Sequence, residues 1–177
     1  MTALPEDRFP SPGGHTRPAL FHEGALVDRP LTMRGVTEDD LPGLVRVDRE
    51  AFPEDPYPYF VLRQLFDLHG DRLLVLDDGK SLHGYVLFVT ASDGYRSWIV
   101  SLGVTRDQRG RGLGRRLMLE VLRRLRAENV REVRLTVEPA NAAAIMLYRS
   151  LGFSSDEGVR EDYFGRGEDR LIMTLGL

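Results

Sequence analysis

Between residues 106 and 134 the chain gathers ten arginines against Asp107, Glu120, Glu128 and Glu132. Inside that stretch stands Arg109-Gly-Arg-Gly-Leu-Gly114. Glycines let a backbone take positive φ and approach a ligand closely. A helix starting behind them adds unpaired N–H groups and a partial positive charge. The chemistry such a loop suits is the binding of a pyrophosphate. Two phosphate loops are excluded by spacing. A dinucleotide fingerprint from Gly110 needs glycine or alanine where Arg115 stands, and a Walker loop needs a lysine, but Lys80 is the only lysine. The pattern R/Q-x-x-G-x-G/A fits Arg109, Gly112 and Gly114 without strain. The candidate anion-binding set is therefore Arg109, Gly110, Arg111, Gly112, Leu113, Gly114 and Arg115.

A loop of this kind needs a strand before it and a helix after it. Arg96 to Val104 reads as the strand. Leu113, Leu117, Val121 and Leu125 recur every four residues, with Met118 and Leu122 beside them, which predicts a strongly amphipathic helix. Upstream, Leu31 to Val36 reads as a first strand. Thr37 and Asp40 resemble a capping box before Leu41, Leu44, Val45 and Val47 at helical spacing. Three prolines force Phe52 to Pro58 into a loop, and Tyr59 to Leu68 reads as a second helix. Arg72–Asp77 and Leu82–Thr90 read as strands, with turns at 77–80 and 92–94. Downstream, Val133–Glu138 is a β-branched strand. Ala140–Leu151 is a helix with Asn141 near its start and Gly152 as its stop. Phe153–Tyr163 and Arg170–Leu175 fit two last strands. The order β-α-α-β-β-β-α-β-α-β-β predicts one α/β domain over 31–177. Residues 1–30 hold five of the ten prolines and read as an extension, flexible or laid along the surface. His15 and His22 fall in it and are expected to be solvated, not metal ligands.

Composition narrows the function further. A chain of 177 residues, 42% hydrophobic and 29% charged, suits one globular domain and is too apolar for wholesale disorder. With no cysteine there is no disulfide scaffold, thiolate nucleophile or cysteine-held metal; no metal is expected. No apolar run reaches the ~18–20 residues of a membrane helix. The polar, proline-rich N-terminus does not read as a secretory signal, so a cytoplasmic protein is expected. Net charge is −3. Near-exclusive use of arginine over lysine reads as codon bias, but the clustering does not. Residues 106–134 sum to +6 and the rest of the chain to −9. That distribution predicts one localised anionic ligand and argues against nucleic acid, which binds along basic, aromatic-studded faces.

With these residues in register, the sequence resembles the GNAT superfamily of acetyl-coenzyme A-dependent N-acetyltransferases. Val100-Ser-Leu-Gly-Val104 followed by Arg109–Gly114 is similar to the family's strand and pyrophosphate loop. Val137-Glu-Pro-Ala-Asn-Ala-Ala-Ala-Ile-Met-Leu-Tyr-Arg-Ser-Leu-Gly-Phe153 is similar to its later strand, helix and "N…A…LY…GF" segment. The resemblance covers about Leu31 to Leu177. It implies a single GNAT-like domain: a mixed, mostly antiparallel sheet of about seven strands with about four helices. Within the superfamily the likeness is greatest to protein N-terminal acetyltransferases of the ribosomal-protein type. Tyr163-Phe-Gly-Arg-Gly-Glu-Asp-Arg-Leu-Ile-Met173 is similar to their tyrosine-rich hairpin, and Phe52-Pro53 followed by Tyr57 to a substrate-side loop.

The resemblance implies direct attack of an amine on the thioester of acetyl-CoA. Leu102 and Val104 would set backbone groups against pantetheine and the thioester oxygen, where an N–H stabilises developing negative charge. Asn141 matches a coenzyme-contacting asparagine, and Tyr148 the tyrosine that protonates the leaving thiolate. Phe52, Pro53, Tyr57 and Tyr163 would line the acceptor side. Arg123, Arg124 and Arg126 read as a solvated helix face. The match breaks at the general base. The family's Glu or His falls at Thr136, and an assisting tyrosine falls at Trp98; neither accepts a proton. Glu138, two residues on, is the candidate base, directly or through water, ahead of Glu161 and Tyr163. Arg106 stands where the family often has proline.

A weak base suits a weakly basic amine. An α-amine, pKa ~7.7–8.0, is roughly one-tenth neutral at pH 7, whereas reaching neutral lysine costs about 3 kcal/mol more. The expected acceptor is therefore a peptide or protein N-terminus. A small-molecule amine such as an antibiotic or metabolite is the alternative, and a non-catalytic CoA-binding module a third reading. A monomer or homodimer is expected, with no membrane partner.

Overall fold

Leu73, Leu74, Val75 and Leu76 are consecutive and all buried. A strand buries every residue only when both faces of its sheet are covered. The computed structural model, which describes residues 30–155 and 158–177, covers both. Its elements are β1 (Thr32–Gly35), α1 (Leu41–Ala51), α2 (Tyr59–His69), β2 (Leu73–Asp77), β3 (Leu82–Thr90), β4 (Arg96–Val104), α3 (Leu113–Ala127), β5 (Glu132–Val137), α4 (Ala142–Ser150), β6 (Val159–Arg160) and β7 (Arg170–Gly176). The sheet runs β1-β2-β3-β4-β5-β7-β6. Every neighbouring pair is antiparallel except β4 and β5. This is the predicted seven-stranded mixed sheet with four α-helices.

Alternate residues of each strand feed two cores. Leu73, Val75, Tyr85 and Leu87 pack with Leu41, Leu44 and Val47 of α1 and Leu62 of α2. Leu74, Leu76, Val86 and Phe88 pack with Leu117, Met118, Val121, Leu122 and Leu125 of α3, and with Ile145 and Tyr148 of α4. Each fully buried leucine is worth roughly 1.5–3 kcal/mol over leaving it exposed.

Three boundaries differ from expectation. Strand β5 stops at Val137, because Pro139 has no N–H to extend a ladder. Helix α4 starts at Ala142, behind its cap Asn141. The predicted strand Phe153–Tyr163 shrinks to β6 and a single bridge between Ser154 and Thr174. Gly158 and Asp162, at φ 71 and 52, break the extended backbone on either side of this exposed edge. Residues 1–29, with His15 and His22, lie outside the described residues. Among those described, no helix is long and apolar enough to cross a membrane, and no cluster of His, Asp and Glu could hold a metal ion.

One polar clamp ties the first strand to the first helix. Arg34 donates to Asp77 Oδ2 at 2.7 and 2.9 Å and to the two Asp40 oxygens at 2.6 and 2.8 Å. Asp40 also accepts from the Thr37 N–H and hydroxyl at 2.7 and 2.9 Å, as the capping-box reading anticipates. Bonding to Arg34 holds the Asp40 carboxyl down to about 2. The sign follows from linkage: a depressed carboxylate stabilises the fold above its unfolded pKa and loses that contribution as pH falls through the folded one. The contribution is about 2 kcal/mol at neutral pH. Asp40→Asn should lower unfolding free energy at pH 7 by about that amount. In urea titrations the gap from the parent should narrow steadily below about pH 4; a pH-independent gap would contradict the assignment.

Candidate active site

The site is built where two parallel strands part. β4 pairs with β5 only over Arg96–Ile99, opposite Glu132–Leu135. Ile99 faces Phe88 and Ser101 faces Leu87, so Val100 is a bulged extra residue with no partner on β3. Beyond it β4 stays with β3, while Thr136 and Val137 of β5 stay with Ile172 and Leu171 of β7. A wedge opens between Val100–Val104 and the end of β5. Backbone groups of β4 on its open side, along the stretch holding Leu102 and Val104, have no strand to pair with, and buried polar backbone demands a partner. The bulge also exchanges faces: Ile99, Leu102 and Val104 join the α3–α4 core, and Ser101 and Gly103 turn toward α1.

The glycine loop closes one end of the wedge. Gly110 and Gly112 sit at φ 75 and 76, and nothing lies within 4 Å of where a Cβ would stand at either. Gly112 is the N-cap of α3, so the helix's first N–H groups face this hollow. Gly114 is small for another reason. A Cβ there would lie 3.3 Å from Leu147 of α4 and 4.0 Å from Leu102 of β4. Loop, strand and helix therefore meet at one residue. The turn before the loop, Arg106–Gln108, forms with arginine where proline is common in the family the sequence resembles. Arg109 does not reach toward the hollow. Its guanidinium donates to Val104 O at 3.2 Å and to Ala51 O at 3.1 Å, strapping the loop to the end of α1. Arg111 bonds Gln108, and Arg115 reaches Ser150 of α4. A separate hollow runs along α3 between Met33 of β1 and Gly112, Arg115, Arg116 and Arg124. Arg123 and Arg124 are held by Glu120 at 2.8 and 2.9 Å, on a solvated face as expected.

Helix α4 presents Tyr148 to this region. Gly152, at φ 95, ends the helix. Its N–H bonds Arg149 O, and the Phe153 N–H bonds Tyr148 O, the paired bonds of a Schellman stop. The Phe153 ring then packs 6.0 Å from the Tyr148 ring. Burial pushes Tyr148 up to about 12. Asn141 Oδ1 caps the helix by accepting from Ala144 N–H at 3.1 Å, which leaves its NH2 for a ligand.

The residues expected to line the acceptor side come from two other segments, the loop after α1 and the last hairpin. Phe52 and Tyr57 are half-buried against the α1–α2 core, and Pro53 is exposed. Tyr163 is half-buried, its ring 5.0 Å from Phe164, in the hairpin that starts where β7 meets the end of β5. Thr136 and Trp98 are half-buried. Glu138 is exposed, just past the strand end, and Glu161 is exposed on the hairpin. One cluster escaped the sequence reading. Asp48 is fully buried and accepts from Tyr85 OH at 2.5 Å and Tyr57 N–H at 2.7 Å; the Ser101 hydroxyl donates in turn to the Tyr85 oxygen at 2.6 Å. The available signal was a carboxylate seven residues after Leu41, inside the apolar stripe of α1.

Comparison with known proteins agrees with this geometry. Residues 37–153 match the acetyltransferase (GNAT) family model. The chain is 38% identical over 151 residues to ribosomal protein bS18-alanine N-acetyltransferase of Salmonella typhimurium, covering 81% of this chain and 96% of that protein. It is 29% identical over 136 residues to L-2,4-diaminobutyric acid acetyltransferase of Shouchella clausii, covering 75% of each. The crystal structure of ribosomal-protein-S18-alanine N-acetyltransferase from Escherichia coli superposes with TM-score 0.71 at 27% identity, over 82% of this chain and 93% of that one.

An alanine at Gly112 must hold a left-handed backbone, at about 1–2 kcal/mol, and its methyl enters the hollow. Gly110→Ala and Gly112→Ala should each weaken CoA binding about tenfold in calorimetric titration, with the fold intact by circular dichroism. Unchanged affinity in both would remove the loop from the binding site.

Proposed function

The chain belongs to the acetyltransferase (GNAT) family and is an acetyl-CoA-dependent N-acetyltransferase; we propose that its acceptor is the α-amine of a peptide or protein N-terminus, which attacks the thioester directly. The open cradle at Gly110 and Gly112, on the positive end of α3, fits the coenzyme's pyrophosphate. Acetyl-CoA supplies the activated acetyl group. The chain's own residues then have three tasks. Backbone at Leu102 and Val104, freed from β5, meets the thioester end and polarises its carbonyl. Tyr148 gives its proton to the departing sulfur; at about 12 it remains protonated throughout the working pH range. Phe52, Pro53, Tyr57 and Tyr163 form the walls along which the acceptor enters.

The observation that carries the choice of acceptor is Thr136. The position that would hold a base carries a hydroxyl, and Glu138 lies exposed beyond the strand end, suited to passing a proton through water. An α-amine loses its proton to water near neutral pH, while a lysine needs an active base. The Salmonella relative, named for acetylating an alanine of a ribosomal protein, supports the same reading. A small-molecule amine is the second reading, favoured by the relative named for diaminobutyric acid.

Thiol release from acetyl-CoA across a panel of acceptors tests this. Peptides with a free N-terminal alanine should turn over fastest. The reading fails if Nα-blocked lysine peptides, polyamines or diaminobutyrate are clearly faster. With the peptide, kcat/KM should rise with unit slope to about pH 8, the α-amine range, and stay level to about pH 10, because Tyr148 has not yet ionised. Tyr148→Phe should lower kcat by about 10- to 100-fold and leave the KM for acetyl-CoA within about twofold.

A further inference from the structure

The buried carboxylate of Asp48 has no part in the chemistry above. It sits on α1 with 0% exposure, and no cation bonds it among the described residues. Burial raises its pKa above the ordinary carboxylate range, as expected of a charge withdrawn from water. Tyr85, 1% exposed, is likewise pushed well up by burial and by Asp48. Such a pair is poor at stabilising a fold, because apolar side chains of similar volume would fill the space without desolvating a charge. What the pair supplies is placement. Asp48 Oδ2 takes the Tyr57 N–H, in the loop between α1 and α2. Asp48 Oδ1 takes the Tyr85 hydroxyl of β3. That hydroxyl meets Ser101 Oγ, the first residue of β4 after the bulge. Even the sheet accommodates it: a Cβ on Gly103 would lie 2.8 Å from the Tyr85 ring.

We propose that Asp48, Tyr85 and Ser101 are positioning residues that pin the 52–58 loop to the open stretch of β4 and thereby set how the acceptor amine is held, without acting on acetyl-CoA. This rests on the reading of that loop as an acceptor wall. Each member bonds the next within 2.5–2.7 Å, so the loop's distance from the wedge is fixed by a chain of three hydrogen bonds. The donor would be held at the start of α3, at α4 and by the backbone of Leu102 and Val104, none of which Tyr85→Phe or Ser101→Ala removes.

Tyr85→Phe removes the middle and last of the three bonds and keeps the ring; Ser101→Ala removes the last alone. In the full chain, Tyr85→Phe should speed amide exchange over residues 52–58, Tyr57 above all. With acetyl-CoA and an N-terminal-alanine peptide it should raise the peptide KM about tenfold, and Ser101→Ala about threefold. The acetyl-CoA KM should stay within twofold for both. Unchanged loop exchange in Tyr85→Phe overturns the clamp, as does an equal rise in both KM values. Faster exchange with an unmoved peptide KM overturns the premise that the loop is an acceptor wall. Phe52→Ala separates the two: it raises the peptide KM if that premise holds, whatever Tyr85 does.

Discussion

Strand β4 bonds β5 for only four residues, and much of the site follows from where that pairing stops. A sheet paired to its end would satisfy its own backbone and offer a ligand nothing. Here the bulge at Val100 turns the last residues of β4, and β5 follows β7. Polar backbone is left facing a gap inside an otherwise closed core. The gap needs walls that do not fill it. Gly114 lets α3 approach Leu102 and Leu147, and the Gly152 stop fixes the Tyr148 ring beside Phe153.

Charge is distributed in the same sense. The arginine-rich segment follows β4 into α3, so positive charge gathers around the glycine loop and along that helix. Its members do not share one task. Arg123 and Arg124 are paired with Glu120, Arg115 bridges to α4, and Arg109 binds backbone oxygens. The proposed anion cradle would use glycine amides and the helix end, which act without side-chain entropy. Exposed acidic side chains, Glu54 and Asp55 in the 52–58 loop and Glu161 and Asp162 in the last hairpin, stand on the segments proposed to receive a protonated amine.

What could be read from the sequence was what is local. The α3 stripe, the three-proline loop and the glycine cradle announce themselves within a few residues, and each formed near its expected bounds. The resemblance carried by the 137–153 segment named a family that the comparisons bear out. The bulge was not legible, because Val100 is one β-branched residue among several and nothing local says which neighbour it will miss. The spacing that picked Arg109 was right about the loop but silent on where its side chain turns. The strand expected over Phe153–Tyr163 is cut to two residues because Gly158 at φ 71 and Asp162 at φ 52 interrupt the extended backbone, while β7 forms near its expected bounds. Asp48 shows the reverse case: its odd place on an apolar face was visible, but its partners come from strands far along the chain.

The Arg109 strap has one more consequence. A single guanidinium joins the loop proposed to cradle the donor to the last carbonyl of α1, where the proposed acceptor loop departs. Linkage between two binding equilibria is symmetric. Whatever change in affinity a bound coenzyme transmits through Arg109 to the amine, the bound amine returns to the coenzyme in equal measure.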